Sequence, residues 1–197
     1  MFDTGQNRED VKEGRECWEN EQKYMDAANL VFLDETGINL GMTRLYGRAL
    51  EGERVVEYIP DVRFERLSVI SSMRLDGTLV PFAFEGSLTG EIFLQYVKQF
   101  LIPTLGTGDV VIMDNLSSHK AKEAVEAVEA VGAYIIFLPA YSPDLNAIEQ
   151  MWSKVKAYLR KVKARTVEAL YESLKNALNS VCLDDIKGWF RNSGYCV

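Results

Sequence analysis

Glu149 sits where an ordinary amphipathic helix would carry an apolar side chain, and two aspartates, Asp34 and Asp114, each close a short apolar run. Around Glu149, Leu145, Ile148, Trp152, Val155, Leu159 and Val162 recur at steps of three and four, a stripe at helical period. Glu149 follows Leu145 by four and precedes Trp152 by three, so it lies along the edge of that stripe. A carboxylate held there is partly desolvated, which is costly unless a cation compensates. The runs Leu30-Val-Phe-Leu33 and Val110-Val-Ile-Met113 read as buried strands, and in open α/β sheets functional groups gather at the carboxyl ends of strands. If the two strands lie side by side and parallel, Asp34 and Asp114 meet at one edge, within reach of Glu149 on the second turn of its helix. Three carboxylates brought together resist ionisation. A divalent cation removes that conflict, and an all-oxygen donor set selects Mg²⁺, with Mn²⁺ able to replace it. Two such ions about 4 Å apart can activate water and stabilise a leaving alkoxide in phosphodiester cleavage.

Each residue also has an ordinary explanation. Asp34 can end its strand and cap the turn at Thr36-Gly37, and Asp114-Asn115 before a serine-capped helix is a common strand-to-helix turn. Glu149 can pair with Lys154 or Lys156, although neither lies at the i+4 spacing a helix favours. Taken jointly, the strand-end placement favours metal ligation. His119, five residues after Asp114, is either a helix-terminal surface residue or a contact to phosphate or to a metal-bound water. Asn146 either braces its turn or touches substrate, while Trp152 belongs with the core.

The elements that position these groups follow from periodicity and turn chemistry. Residues 1–27 form a polar helical lead-in, and residues 38–64 an irregular insertion with a small hairpin at 54–59. Asp76-Gly77 joins strands at 67–75 and 79–84. Thr89 caps a helix closed by Pro103, and a helix from Ser117 or Ser118 stops at Gly132. Strands at 109–114 and 133–138 around that helix form a right-handed parallel βαβ unit. The long Glu149 helix starts at Ser142-Pro143, a hydroxyl cap followed by proline at the first helical position. Helices at 166–180 and 183–192 complete the chain. The expected architecture is α/β: a mixed sheet, three antiparallel then two parallel strands, flanked by helices.

Composition narrows the function classes. The 197 residues are 47% hydrophobic and 26% charged, enough for one sizeable core. No stretch is long and apolar enough for a membrane span, the N-terminus lacks signal-peptide character, and no membrane partner is expected. Cys17, Cys182 and Cys196 fit neither a disulfide framework nor a zinc spacing, favouring a reducing cytoplasm. One histidine excludes a multi-histidine metal site. The net charge of −7 argues against nucleic-acid affinity spread over the whole surface. The charge is nevertheless uneven: Lys154, Lys156, Arg160, Lys161, Lys163 and Arg165 follow Glu149 with no acid among them. A solvated helix face is one reading. A local phosphate-binding surface carried by Lys154, Lys156, Arg160 and Lys161 is the other.

Val110-Val-Ile-Met-Asp-Asn-Leu-Ser-Ser-His-Lys120 and Phe137-Leu-Pro-Ala-Tyr-Ser-Pro-Asp-Leu-Asn-Ala-Ile-Glu149 resemble the catalytic motifs of mariner-like transposases, most closely the bacterial insertion-sequence 630 family. Phe32-Leu-Asp-Glu-Thr36 resembles that family's first motif, and 34 residues separate Asp114 from Glu149, the spacing of its Asp-Asp-Glu triad. The likeness covers roughly residues 28–195. It implies a ribonuclease-H-like catalytic domain with Asp34, Asp114 and Glu149 as catalytic metal ligands; Asn115, His119 and Asn146 are the candidates for contact with substrate or with those ligands. It further implies metal-dependent nicking at DNA element ends and strand transfer into target DNA, in a bacterial, nucleoid-associated setting. The 38–64 insertion falls where related enzymes carry a loop used in dimer contacts. Ala147 departs from the proline usual after Asn146. Fewer than 30 residues precede the first strand, too few for the family's helix-turn-helix reader, so a homodimer or an assembly with a separate DNA-binding subunit is expected. A catalytically silent remnant that dimerises with intact transposase is the competing expectation. A haloacid-dehalogenase-like phosphatase ranks last, since Thr36 stands where that chemistry wants a second aspartate.

Overall fold

The apolar run that opens at Leu30 does not stop at Asp34: strand β1 runs Leu30–Ile38. The computed structural model describes residues 8–44, 46–56, 67–114 and 122–197. Asn115, His119, the helix start expected at Ser117 or Ser118, and half of the 54–59 hairpin lie outside the described residues; 54–56 are irregular. The expected strand end at Asp34 is corrected by the partner on its other side. Strand β2 (Leu67–Arg74) pairs antiparallel with β1 from Val31↔Arg74 to Ile38↔Leu67, so Asp-Glu-Thr-Gly is held extended by a full ladder.

Strand β3 (Phe82–Glu85) is shorter than the expected 79–84. Pro81 has no N–H to give a ladder, which delays the strand. The turn itself is as expected: Gly77 adopts φ 97°, and Asp76 Oδ1 accepts from Thr78 N at 2.8 Å. Strands β4 (Val110–Met113) and β5 (Tyr134–Phe137) pair parallel, and β4 pairs parallel with β1. The sheet order is β3-β2-β1-β4-β5, three antiparallel strands followed by two parallel ones.

Period-two alternation assigns each face of the sheet to its own core. Val31, Leu33, Val111 and Met113 pack with helix α2 (Gly90–Tyr96) and helix α3 (Lys122–Glu129). Thr89 caps α2 by accepting from Ile92 N at 3.3 Å. Beyond Tyr96 the helix widens into a π-turn at Val97–Leu101, then tightens at Ile102–Thr104 around Pro103. Phe32 and Ile112 face the opposite way, toward helices α4 (Ala147–Val162), α5 (Val167–Asn179) and α6 (Leu183–Asn192). The α4 stripe of Ile148, Trp152, Val155 and Leu159 is buried there, as its spacing predicts.

Helix α1 (Glu9–Glu21), in the polar lead-in, packs on this second face. Trp18 Nε1 donates to the Tyr195 hydroxyl at 3.2 Å, which donates to the Leu145 carbonyl at 3.0 Å. Arg15 grips Asp144 with two bonds of 2.9 and 2.7 Å. Both ends of the chain thereby brace the turn before α4. Tyr195→Phe strands a buried indole N–H and a carbonyl, and should lower stability by about 1–3 kcal/mol. Thermal unfolding should show this as a midpoint several degrees lower; an unchanged midpoint would mean the relay bears no load.

Candidate metal centre

The sheet brings Asp34 and Asp114 to one level by register. Leu33 pairs with Met113 in the parallel β1–β4 ladder, so the next residue on each strand is an aspartate. Strand alternation puts both on the Phe32–Ile112 face, the face that α4 covers. β4 ends where Asp114 begins, while β1 continues along β2. Asp34 therefore stands mid-strand at the place where parallel pairing ceases, and it is buried.

The third carboxylate arrives from a helix that starts later than its sequence suggests. Ser142 does not cap it: its hydroxyl donates to the Ala140 carbonyl at 3.1 Å. Pro143–Leu145 forms a 3₁₀ turn, and the N-cap position of α4 falls on Asn146. Glu149 is thus in the first turn of α4, at its third residue, not the second turn. The Ala147 departure is neutral in this light. It occupies the first helical position, which tolerates proline but does not need it.

Asn146 is an unusual cap. Among the described residues its side-chain oxygen accepts no hydrogen bond, from the helix or elsewhere, although the residue is buried. A buried acceptor left so costs about 1–3 kcal/mol unless an ion, water or substrate satisfies it. Asn146, Asp114 and Glu149 line one cavity of about 500 Å³ with Tyr141, Ser142 and Arg8. Burial pushes the Glu149 carboxyl above the usual glutamate range; Lys156 pulls it back, and the Asp114 charge adds to the rise.

Asp34 does not line that cavity, and among the described residues no three Asp, Glu, His or Cys side chains are grouped closely enough to hold an ion. The donors nevertheless fit a hard divalent cation. Two carboxylates and a partnerless amide oxygen are all oxygen ligands, and positive charge would relieve both the raised Glu149 and the orphaned Asn146.

The four basic residues singled out after Glu149 divide between two faces of α4. At about 100° per residue, Lys156 and Arg160 return to within about 20° of Glu149, while Lys154 and Lys161 lie roughly 120–140° around the helix. Lys154 is engaged there: its ammonium donates to the Ser180 carbonyl at 2.9 Å and to Asp185, which it helps hold down to about 2. Lys161 is exposed.

Two cavity residues carry little or no sequence signal. Arg8 comes from the polar lead-in and pairs with Asp10 through bonds of 3.0 and 2.6 Å. Tyr141 adopts φ 55°, a left-handed backbone rare for a bulky residue and concentrated at functional turns. Only its place in the Tyr-Ser-Pro-Asp block points to it.

The family model described as DDE superfamily endonuclease matches residues 29–171, from the start of β1 into α5. The Tcb2 transposase of Caenorhabditis briggsae is 25% identical over 118 residues, 60% of this chain and 41% of that protein. The Tc1 transposase of Caenorhabditis elegans is 26% identical over 90 residues, 46% of this chain and 33% of that protein. The chain thus matches less than half the length of either relative. Among solved structures, the Mos1 mariner paired-end complex with Mn superposes with a TM-score of 0.77 at 14% identity, covering 98% of this chain and 61% of that one. The Mos1 catalytic domain with Raltegravir and Mn gives 0.70 at 12% identity, covering 98% and 92%. At such identities the likeness is one of fold, and it agrees with the mixed sheet: the fold is ribonuclease-H-like.

Proposed function

The chain belongs to the DDE superfamily of endonucleases, and from that premise we propose that it is the catalytic domain of a mariner-like transposase, cutting DNA at element ends and joining the freed 3′ end to a target. The observation that carries this reading is the cavity in which Asp114 and the desolvated Glu149 meet the partnerless oxygen of Asn146. Asp34, at the same level of the sheet, completes the ligand set. Bound to these residues, two Mg²⁺ or Mn²⁺ ions would supply activation of the attacking hydroxyl and neutralisation of the leaving oxygen.

The chain's own contribution is placement. Asp34 is fixed by strand pairing, Asp114 directly follows the paired strand β4, and Glu149 stands on a helix whose preceding 3₁₀ turn is braced through Arg15–Asp144 and Tyr195–Leu145. Asn146 presents an oxygen to metal or substrate. Asn115 and His119, close to Asp114 in sequence, are assigned to the phosphate side of the same site. The Tyr-Ser-Pro-Asp-Leu-Asn block and the 34-residue spacing support a place in the insertion-sequence 630 group, with a bacterial, nucleoid-associated setting. The structural neighbours named as Mos1 paired-end complexes support action on transposon-end DNA, and the chain is proposed to act as a homodimer or alongside a DNA-reading subunit. No described helix is long and apolar enough to cross a membrane.

Nicking of DNA carrying element ends tests the reading. Wild type should nick with Mg²⁺ or Mn²⁺ and not with EDTA, and Asp114→Asn should be inactive. Equal activity in the two proteins would remove Asp114 from the chemistry. An inactive wild type that inhibits a full-length relative would make the chain a regulator instead.

A further inference from the structure

A second cavity, of about 310 Å³, opens on the same face of α4 as Glu149, lined by Gly37, Asn39, Gly41, Thr43, Lys156 and Arg160, with Met42. We propose that this cavity seats a backbone phosphate of the DNA strand running away from the carboxylates, with Lys156 and Arg160 as its cations. The proposal rests on the endonuclease reading and gives that site a strand direction.

Charge is the first argument. Lys156 and Arg160 stand at i,i+4, where like charges destabilise a helix by a few tenths of a kcal/mol. Both are half-buried, the cavity lining contains no acid, and neither forms an ion pair among the described residues. Lys154 on the same helix shows the contrast, being matched by Asp185. Lys156 feels the Glu149 carboxylate only as a charge further along the helix, so both half-buried cations face the shared hollow with no acid in its lining.

The opposite wall is built before any ligand arrives. Arg165 donates to the Leu40 carbonyl at 2.6 Å and to the Met42 carbonyl at 3.4 Å, tying the 39–43 loop to the far end of α4. Asn39 Oδ1 accepts from Gly41 N at 2.9 Å and fixes the turn. Gly37 and Gly41 keep side chains out of the wall, and Thr43, largely buried, adds a hydroxyl to the lining. Hydroxyl, guanidinium and ammonium together suit a phosphate diester.

Distance supplies the register. At about 1.5 Å per residue, Lys156 and Arg160 stand roughly 10 and 16 Å along the axis from Glu149. With about 3.4 Å of rise per base pair, the seated phosphate belongs roughly three to five steps from the bond being cut.

The test measures binding of a 20-base-pair duplex of arbitrary sequence by fluorescence anisotropy, with Ca²⁺ in place of Mg²⁺, across a salt series. Phosphate contacts are sequence-independent, so no element end is needed. Against wild type, K156Q/R160Q should flatten the slope of log K on log salt by about 1.8 and weaken binding at least about 10-fold at low salt. Lys161→Gln, on the other face, should shift the slope by less than half as much. Circular dichroism spectra should be unchanged for both variants, with melting midpoints within about 3 degrees of wild type. An unaltered slope in K156Q/R160Q, or an equal fall in Lys161→Gln, overturns the phosphate seat. Nicking by wild type is scored separately. Its absence with the slope change present defeats the endonuclease reading alone, and its presence with the slope unaltered defeats the phosphate seat alone.

Discussion

Glu149→Gln should abolish DNA cleavage and, in the metal-free protein at neutral pH, make the fold more stable. Loss of a direct ligand should lower nicking by about 10³-fold or more, beyond the 10–100-fold typical of losing an outer-shell partner. The stability gain follows from the sign of the titration. Burial raises the folded-state pKa of Glu149 above its unfolded value, so the native state holds its proton more tightly than the unfolded chain does. Above that raised pKa the native protein carries a desolvated charge beside Asp114, which is a cost. Glutamine keeps the shape and removes the charge, and a gain on the order of 1 kcal/mol is expected. As pH falls through the raised pKa the wild-type carboxyl is neutralised and the advantage of the variant should fade. Mg²⁺ reverses the order: it should raise the melting temperature of wild type in proportion to occupancy and leave the variant almost unmoved. Thermal melts at several pH values, with and without Mg²⁺, check all three statements. A variant less stable than wild type at neutral pH without metal would show that Glu149 holds the fold together through a pair.

Arg74→Ala should produce the largest loss of stability of any single surface-reaching charge. Arg74 ends β2 and clasps Asp109, just before β4, with two bonds of 2.7 and 2.8 Å; the side chains are 14% and 7% exposed. Asp109 also accepts from Gly106 N at 2.7 Å. Removing the guanidinium leaves a nearly buried carboxylate with one backbone donor, a cost of about 3–5 kcal/mol. The hydrogen-bonded guanidinium holds Asp109 below the usual carboxylate range. The contribution of the pair is therefore complete above the unfolded aspartate pKa, about 3.9, and is lost as pH falls through the lower folded value. Urea unfolding of both proteins should give midpoints far apart at pH 7 that converge only in strong acid. Coincident midpoints at pH 7 would mean that solvent reaches the pair freely. Because Asp114 follows directly on β4, the variant should also lose cleavage at temperatures where wild type remains active.

The parts of the molecule legible in the sequence were those set by local pattern. The α4 stripe, the Asp76-Gly77 turn, the Thr89 cap and the two parallel apolar strands depend on periodicity and turn chemistry within a few residues. What escaped depends on partners distant in the chain. Asp34 looks like a strand end because Asp-Glu-Thr-Gly has the composition of a turn, and only the β2 ladder keeps it extended. Ser142-Pro143 looks like a helix start, yet the 3₁₀ turn intervenes because the chain there is held by Arg15 and Tyr195, 129 and 50 residues away. Lys154 and Lys156 read alike in the sequence. Asp185 on α6 and the 39–43 loop give them opposite roles. Arg8 had no signal, since a cation in a polar lead-in acquires meaning only through the surface it is folded against.

Under the proposed function, Asp34, Asp114 and Glu149 jointly hold the divalent metal. A Mn²⁺-soaked crystal measured near the manganese edge tests it most directly. Anomalous density is expected beside the Asp34, Asp114 and Glu149 carboxylates at about 2.0–2.3 Å, lost in Asp114→Asn. Saturating Mn²⁺ that leaves this position empty, or binds elsewhere without Asp34, would contradict it.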